Sequence, residues 1–80
     1  MPRVVVYTMD GCPVCAQAKE YLAGRGVEYE ERNVSRSEEH YRELVEEMGL
    51  RSVPVILVNG ERLVGFDEPA LRRLLEGRGG

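Results

Sequence analysis

Two cysteines three residues apart, in Cys12-Pro13-Val14-Cys15, are the residues of this 80-residue chain best suited to chemistry, and they are its only cysteines. A disulfide stabilises chiefly by closing a long loop of unfolded chain, so a pair this close is a poor brace. Such a pair is more useful as a catalytic, redox-sensing or metal-binding unit. Taking Cys12 as the N-cap of a helix makes Pro13 the first helical residue, Val14 the second and Cys15 the third. The Cys12 sulfur then stands where a serine or aspartate oxygen would accept the free N–H groups of Val14 and Cys15. Those donors and the positive end of the helix dipole favour thiolate over thiol and make Cys12 the expected nucleophile. Pro13 costs nothing there, because its missing N–H had no partner. Cys15, one turn inside, is expected to be buried and protonated, about 5–6 Å away and within disulfide reach. The chemistry is thiol–disulfide exchange: Cys12 attacks a substrate disulfide, and Cys15 resolves the mixed disulfide. Asp10 slightly opposes the thiolate and Lys19 weakly favours it; neither outweighs the helix end.

Other uses of the pair are weaker. Half a zinc site needs further ligands, and the only candidate besides carboxylates is His40. It lies in the charged Glu38–Glu43 stretch and reads as a solvated helix residue, so no metal site is expected. A structural disulfide is disfavoured by the short loop, and an inert buried pair by the strand–cysteine–helix context.

Composition agrees with a small working domain. Hydrophobic residues make up 42% and charged residues 31%, with a net charge of −3, so a core can form. The acidic balance argues against nucleic acid and anionic membranes, which call for a Lys/Arg footprint. Val4–Tyr7 is too short for the apolar region of a signal peptide. The longest apolar run, Val53–Val58, contains Pro54 and is far short of a membrane span. A cytoplasmic setting, a single domain over residues 1–80 and a monomer are the expectations.

The elements that must position the cysteines follow from punctuation and periodicity. Arg3–Tyr7 is an apolar run of strand length, closed by the Asp10-Gly11 turn signal. It is apolar throughout, as a central strand buried on both faces would be. Val14, Ala18, Tyr21 and Leu22 form a helical stripe that ends at Gly24 and Gly26. Glu28–Val34 alternates weakly and reads as a second strand. Ser35-Arg36-Ser37-Glu38 offers a capping box for a helix with Tyr41, Leu44, Val45 and Met48 on its apolar face, ended by Gly49. Val55–Val58 and Glu61–Val64 flank Asn59-Gly60, a hairpin signal, and the charged second arm reads as an edge. Pro69 starts a last helix, with Asp67 or Glu68 as cap and Ala70, Leu71, Leu74 and Leu75 as its face. The order β-α-β-α-β-β-α gives an α/β fold, a mixed four-stranded sheet covered by three helices. Residues 77–80 are expected to fray.

At these residues the chain resembles the glutaredoxin branch of the thioredoxin superfamily. The resemblance runs from about Val4 to Glu76 and rests on four ordered segments. These are Cys12-Pro13-Val14-Cys15, Ser52-Val53-Pro54, Asn59-Gly60 and Gly65-Phe66-Asp67. It implies a thioredoxin-like fold with strand order 2-1-3-4 and a cis Val53–Pro54 bond beside the cysteines. It also implies that the Val53 main chain pairs with the substrate backbone.

The resemblance divides over the reductant. Glutaredoxins are recharged by glutathione, whereas NrdH-type redoxins take electrons from thioredoxin reductase and serve ribonucleotide reductase. Ser52-Val53-Pro54 resembles the glutaredoxin Thr-Val-Pro, Arg51 could meet a glutathione carboxylate, and Asp67 matches a position used for its glutamyl end. Pro13, Val14, Arg51, Ser52, Val53, Pro54, Gly65, Phe66 and Asp67 are the implied substrate or glutathione contacts. The plain readings stand beside these: Arg51 as a solvated loop residue, Asp67 as a helix cap, Phe66 as core. Against glutathione, Met9 stands where the family has a lysine, Val14 replaces a tyrosine, and Val64-Gly65 replaces Gly-Gly. Gly65-Phe66 is similar to the NrdH-type Gly-Phe, although Asp67-Glu68 replaces the Arg-Pro that follows. The expected function is dithiol reduction of protein or small-molecule disulfides, glutaredoxin-like, with an NrdH-type redoxin as the alternative. No tightly bound cofactor is expected; glutathione is the candidate reductant. Two rivals remain: a cluster-binding glutaredoxin, and a sulfur carrier using Arg78-Gly79-Gly80, which a preceding helical stripe disfavours.

Overall fold

Val4–Thr8, the most continuously apolar stretch near the start of the chain, is the strand β1, and all five of its residues are buried. The computed structural model describes residues 3–76; the Gly79-Gly80 tail and the expected fraying of residues 77–80 lie outside them. After β1 come α1 (Pro13–Gly24), β2 (Glu30–Asn33), α2 (Glu38–Arg42, continued by a π-helical turn over Glu43–Glu47), β3 (Val55–Val58), β4 (Glu61–Val64) and α3 (Glu68–Leu75). The sheet order is β2-β1-β3-β4, with β1 parallel to β2 and antiparallel to β3, and β3 antiparallel to β4. This is the mixed 2-1-3-4 sheet of the thioredoxin-like fold.

Side chains alternate across a strand, so β1 feeds two cores at once. Val4 and Val6 pack with Ala18 and Leu22 of α1, Ile56 and Val58 of β3, and Leu71 of α3. Val5 and Tyr7 face the other way, onto Leu44 and Val55. Helices α1 and α3 therefore cover one face and the α2 segment the other. The β3–β4 turn has Asn59 at φ 52° and Gly60 at φ 87°, the two left-handed residues of a type I′ hairpin.

Several local expectations shift. The buried stripe of α1 is Cys15, Ala18 and Leu22, while Val14 is 42% exposed. The second strand is shorter than Glu28–Val34; Tyr29 and Val34 flank it and pack into opposite cores. The capping box at Ser35 does not form. Ser35 N–H donates to Asn33 Oδ1 at 2.8 Å in an Asx-type turn, and Ser37 caps α2 by accepting the His40 N–H at 3.2 Å. The regular stripe of α2 is broken by the π turn, where Met48 N–H reaches back to the Glu43 carbonyl. Of that stripe only Leu44 is fully buried, and Tyr41 is 49% exposed. Asp67 is the cap of α3, accepting the Ala70 N–H at 3.3 Å, and Pro69 falls second rather than first. Asp67→Ala is expected to cost about 1 kcal/mol in a urea titration.

Candidate active site

The site is built where β1 ends and α1 begins. Cys12 is the N-cap of α1 with extended backbone (φ −104°, ψ 104°), and its sulfur accepts the Cys15 N–H at 3.1 Å. Of the two donors expected from the sequence, Cys15 reaches the sulfur and Val14 does not, among the described residues. Cys12 is partly exposed; Cys15 is 2% exposed, and both are free thiols. Burial, followed by its contact with Cys12, pushes the Cys15 thiol from its ordinary 9.0 up to about 11, while the Met9 backbone and Lys19 pull against it. One cysteine is thus offered at a helix end and the other is held protonated behind it.

The sign of that shift has consequences. Below about pH 11 the folded protein keeps the Cys15 proton. Alkylation near neutral pH should therefore add one label, with the second appearing as the pH approaches about 11, read by intact mass. An unfolded chain releases the same proton at lower pH, so the reduced protein should lose stability between about pH 9 and 11.

The loop that presents Cys12 is tied down by residues with no chemical signature of their own. Asp10 N–H donates to Ser35 Oγ at 3.1 Å, and Asp10 Oδ1 accepts from Asn33 Nδ2 at 3.0 Å and Arg36 Nε at 3.2 Å. Beyond its place in the Asp10-Gly11 turn and its charge near Cys12, Asp10 fastens the β1–α1 loop to the end of β2 and the loop that follows it. Buried Thr8 donates to Glu31 Oε2 at 2.7 Å, and Lys19 Nζ donates to the same oxygen at 3.0 Å. Those bonds hold the Glu31 carboxyl below its usual range. A polar residue at the end of an apolar strand was the available signal for Thr8; Asn33 and Glu31 gave none.

An open groove of about 700 Å³ runs beside the cysteines, lined among others by Met9, Cys12, Cys15, Lys19, Glu31 and Arg36. A smaller hollow of about 230 Å³ lies toward α2, lined by Met9, Tyr41, Leu44, Arg51 and Val53 among others. Met9 borders both, whereas Arg51 and Val53 line the smaller hollow rather than the groove beside the cysteines. Pro13 and Val14 are exposed at the start of α1, and Ser52 is exposed in the loop before β3. The Val53–Pro54 bond is cis, as the resemblance implied, and buried Pro54 accepts the Gly65 N–H at 2.8 Å. Gly65 has φ +85°, a conformation that other residues adopt with strain, which accounts for glycine there. Phe66 is half-buried and packs against the core on the α1–α3 side, its ring 5.7 Å from that of Tyr21. His40, the other candidate metal ligand, lies 3.2 Å from Glu43 on α2.

A profile described as Glutaredoxin matches residues 4–63. Glutaredoxin 3 of Escherichia coli K12 is 30% identical over 80 residues, covering 100% of this chain and 93% of its own. Among solved structures, a variant of the thioredoxin-like protein BC3987 superposes with a TM-score of 0.88 at 32% identity, covering 95% of this chain and 97% of that one. The glutaredoxin-like NrdH-redoxin of Escherichia coli gives 0.77 at 30% identity, covering 90% and 93%. With the cysteine pair capping α1 and the 2-1-3-4 sheet behind it, the chain belongs to the glutaredoxin family, as a thiol–disulfide oxidoreductase with a Cys-x-x-Cys active site.

Proposed function

We propose that the protein reduces disulfides by a two-cysteine exchange with Cys12 as the attacking thiol and Cys15 as the resolving one. The observation that carries this is the contrast between the two sulfurs: one partly exposed at a helix N-terminus, the other buried and protonated. In the first step the Cys12 thiolate attacks one sulfur of the substrate disulfide, and the other sulfur leaves as thiolate. In the second, Cys15 loses its proton and attacks Cys12 Sγ, forming the Cys12–Cys15 disulfide and releasing the reduced substrate. Two electrons pass from the pair to the substrate, and a separate reductant restores them.

Glutathione is the proposed reductant, by membership of the family and by Arg51, which lines the hollow that Met9 also borders. Val53, with Ser52 beside it, is proposed to align substrate backbone at the rim, and Gly65 to keep Pro54 in place. A second reading is favoured by one feature. Met9 and Val14, 45% and 42% exposed, put an apolar rim on Cys12 where an anionic tripeptide would gain from charge. That rim suits a protein partner and favours the likeness to the NrdH-redoxin of Escherichia coli, which is described as having a thioredoxin-like activity profile. The proposed setting is a reducing compartment, with no membrane or nucleic-acid partner.

The test is NADPH consumption with a disulfide substrate in two arms, one with glutathione and its reductase, the other with thioredoxin reductase. Turnover in the first arm supports the glutathione reading. Turnover confined to the second replaces it with the NrdH-type reading. Failure in both, with Cys12 still reactive, removes both reductants.

A further inference from the structure

The exchange proposed above leaves one step without an obvious helper. Cys15 must become a thiolate to attack the mixed disulfide, yet it is buried and its proton is held tightly. Lys19 stands four residues on in α1, hence on the same helix face one turn further, and it lines the same groove as Cys12 and Cys15. It is the only lysine in the chain, against ten arginines. Its ammonium is not free to wander: Glu31 Oε2 takes one of its donors at 3.0 Å, and Thr8 Oγ1, 2.7 Å from that oxygen, fixes the carboxylate from the buried end of β1. Thr8 itself is 1% exposed. The chain Thr8–Glu31–Lys19 thus starts in the core and ends in a cation on the groove that Cys15 also lines.

We propose that Lys19, aimed by Glu31 and Thr8, is a positioning residue for the resolving step: its charge stabilises the Cys15 thiolate as it forms. The inference rests on the proposed order of attack, Cys12 first and Cys15 second. The Cys15 S–H bond ionises and the proton passes to water in the open groove. The thiolate attacks Cys12 Sγ, the Cys12–substrate bond breaks, and the substrate sulfur leaves with the electron pair and is protonated from solvent. Cys15 is oxidised and the substrate sulfur reduced. Lys19 keeps its proton throughout; it supplies charge, not acid. Glu31 is the main cause that raises Lys19, with Cys15 adding least, and Lys19 in turn pulls the Cys15 thiol down against its burial.

Lys19 is the least of the influences on the Cys15 thiol and its charge is partly offset by Glu31, so an effect of about a few-fold is the scale to look for. The experiment reads the two steps separately with 5,5′-dithiobis(2-nitrobenzoate). A first equivalent of coloured thiolate reports attack by Cys12, and a second, slower equivalent reports its displacement by Cys15. Lys19→Gln should slow the second release several-fold near neutral pH and move its pH profile upward, with the first release little changed. Lys19→Arg, which keeps the charge, should restore most of the rate. Lys19 is about one-third exposed, so neither change empties the core. A second release unaltered in rate and pH profile by Lys19→Gln would overturn the inference, as would equal slowing of both steps. An absent first release in the wild-type protein would instead strike the order of attack on which the inference rests.

Discussion

Replacing Cys12 by serine should reduce disulfide turnover to background, whichever reductant is supplied. The reason is local. Serine keeps the cap, since its oxygen accepts the same Cys15 N–H, so α1 and the fold remain. What disappears is the sulfur, and with it the attack that starts every cycle. Cys15→Ser should fail later. The mixed disulfide on Cys12 still forms, but nothing inside the protein displaces the substrate, and protein disulfides should accumulate as trapped adducts. A glutathione adduct on Cys12 can still be cleared by a second glutathione from solution, so some small-molecule turnover should survive in Cys15→Ser alone. A coupled NADPH assay on the two variants reads this difference directly. Turnover by Cys12→Ser at even a tenth of the wild-type rate would exclude Cys12 as the attacking thiol.

The largest effect on stability is expected at Leu22. It is fully buried in the core shared by α1, β1, β3 and α3, and it ends the buried stripe that begins at Cys15. Leu22→Ala should cost about 2–5 kcal/mol, the lost transfer energy plus the cavity. A chain of this size holds roughly 4–12 kcal/mol in all. Each kcal/mol moves the midpoint by about 4–8 °C in so small a domain, so a fall of roughly 8–40 °C should be seen by thermal melt. Val64, 49% exposed on the edge strand, gives the contrast: Val64→Thr should stay within about 0.5 kcal/mol. Similar losses at the two positions would mean that α1 is not packed as described. Because Cys12 caps α1, loosening Leu22 should also blur the reactivity of the site before the protein unfolds.

Much of this was legible from residue type and spacing. The Asn59-Gly60 hairpin, the central burial of β1 and the capping of α1 by Cys12 each follow from a local rule, and each is found. The strand order and the cis Val53–Pro54 bond came from resemblance, since neither is written in periodicity. The misreadings share a cause. Ser35 looked like a cap because serine at that spacing caps helices, but the tertiary partner Asp10 claimed its oxygen. Tyr41 looked like core, but the turn of α2 that carries it buries no residue, and burial falls on Leu44 in the π turn that follows. Beneath α2, Tyr7 donates to Glu43 Oε1 at 2.9 Å while Arg32 Nη1 donates to both, at 2.8 Å and 3.1 Å. Such a network joins residues from three elements and leaves no mark on any one stretch of sequence. The site shows the same limit: the cysteines announce themselves, whereas Thr8, Glu31, Asn33 and Arg36 matter only through what the fold brings to them.

The central claim is that two cysteines in one motif have opposite standing, Cys12 reactive and Cys15 withheld. The most direct measurement takes Cys15→Ser and Cys12→Ser, both checked for folding by circular dichroism, and exposes each to a disulfide reagent near pH 7.5. Intact mass then counts the adducts. The account predicts a rapid mixed disulfide on Cys15→Ser, whose remaining thiol is Cys12, and little or none on Cys12→Ser over the same time. Equal reactivity, or faster modification of Cys12→Ser, would contradict it.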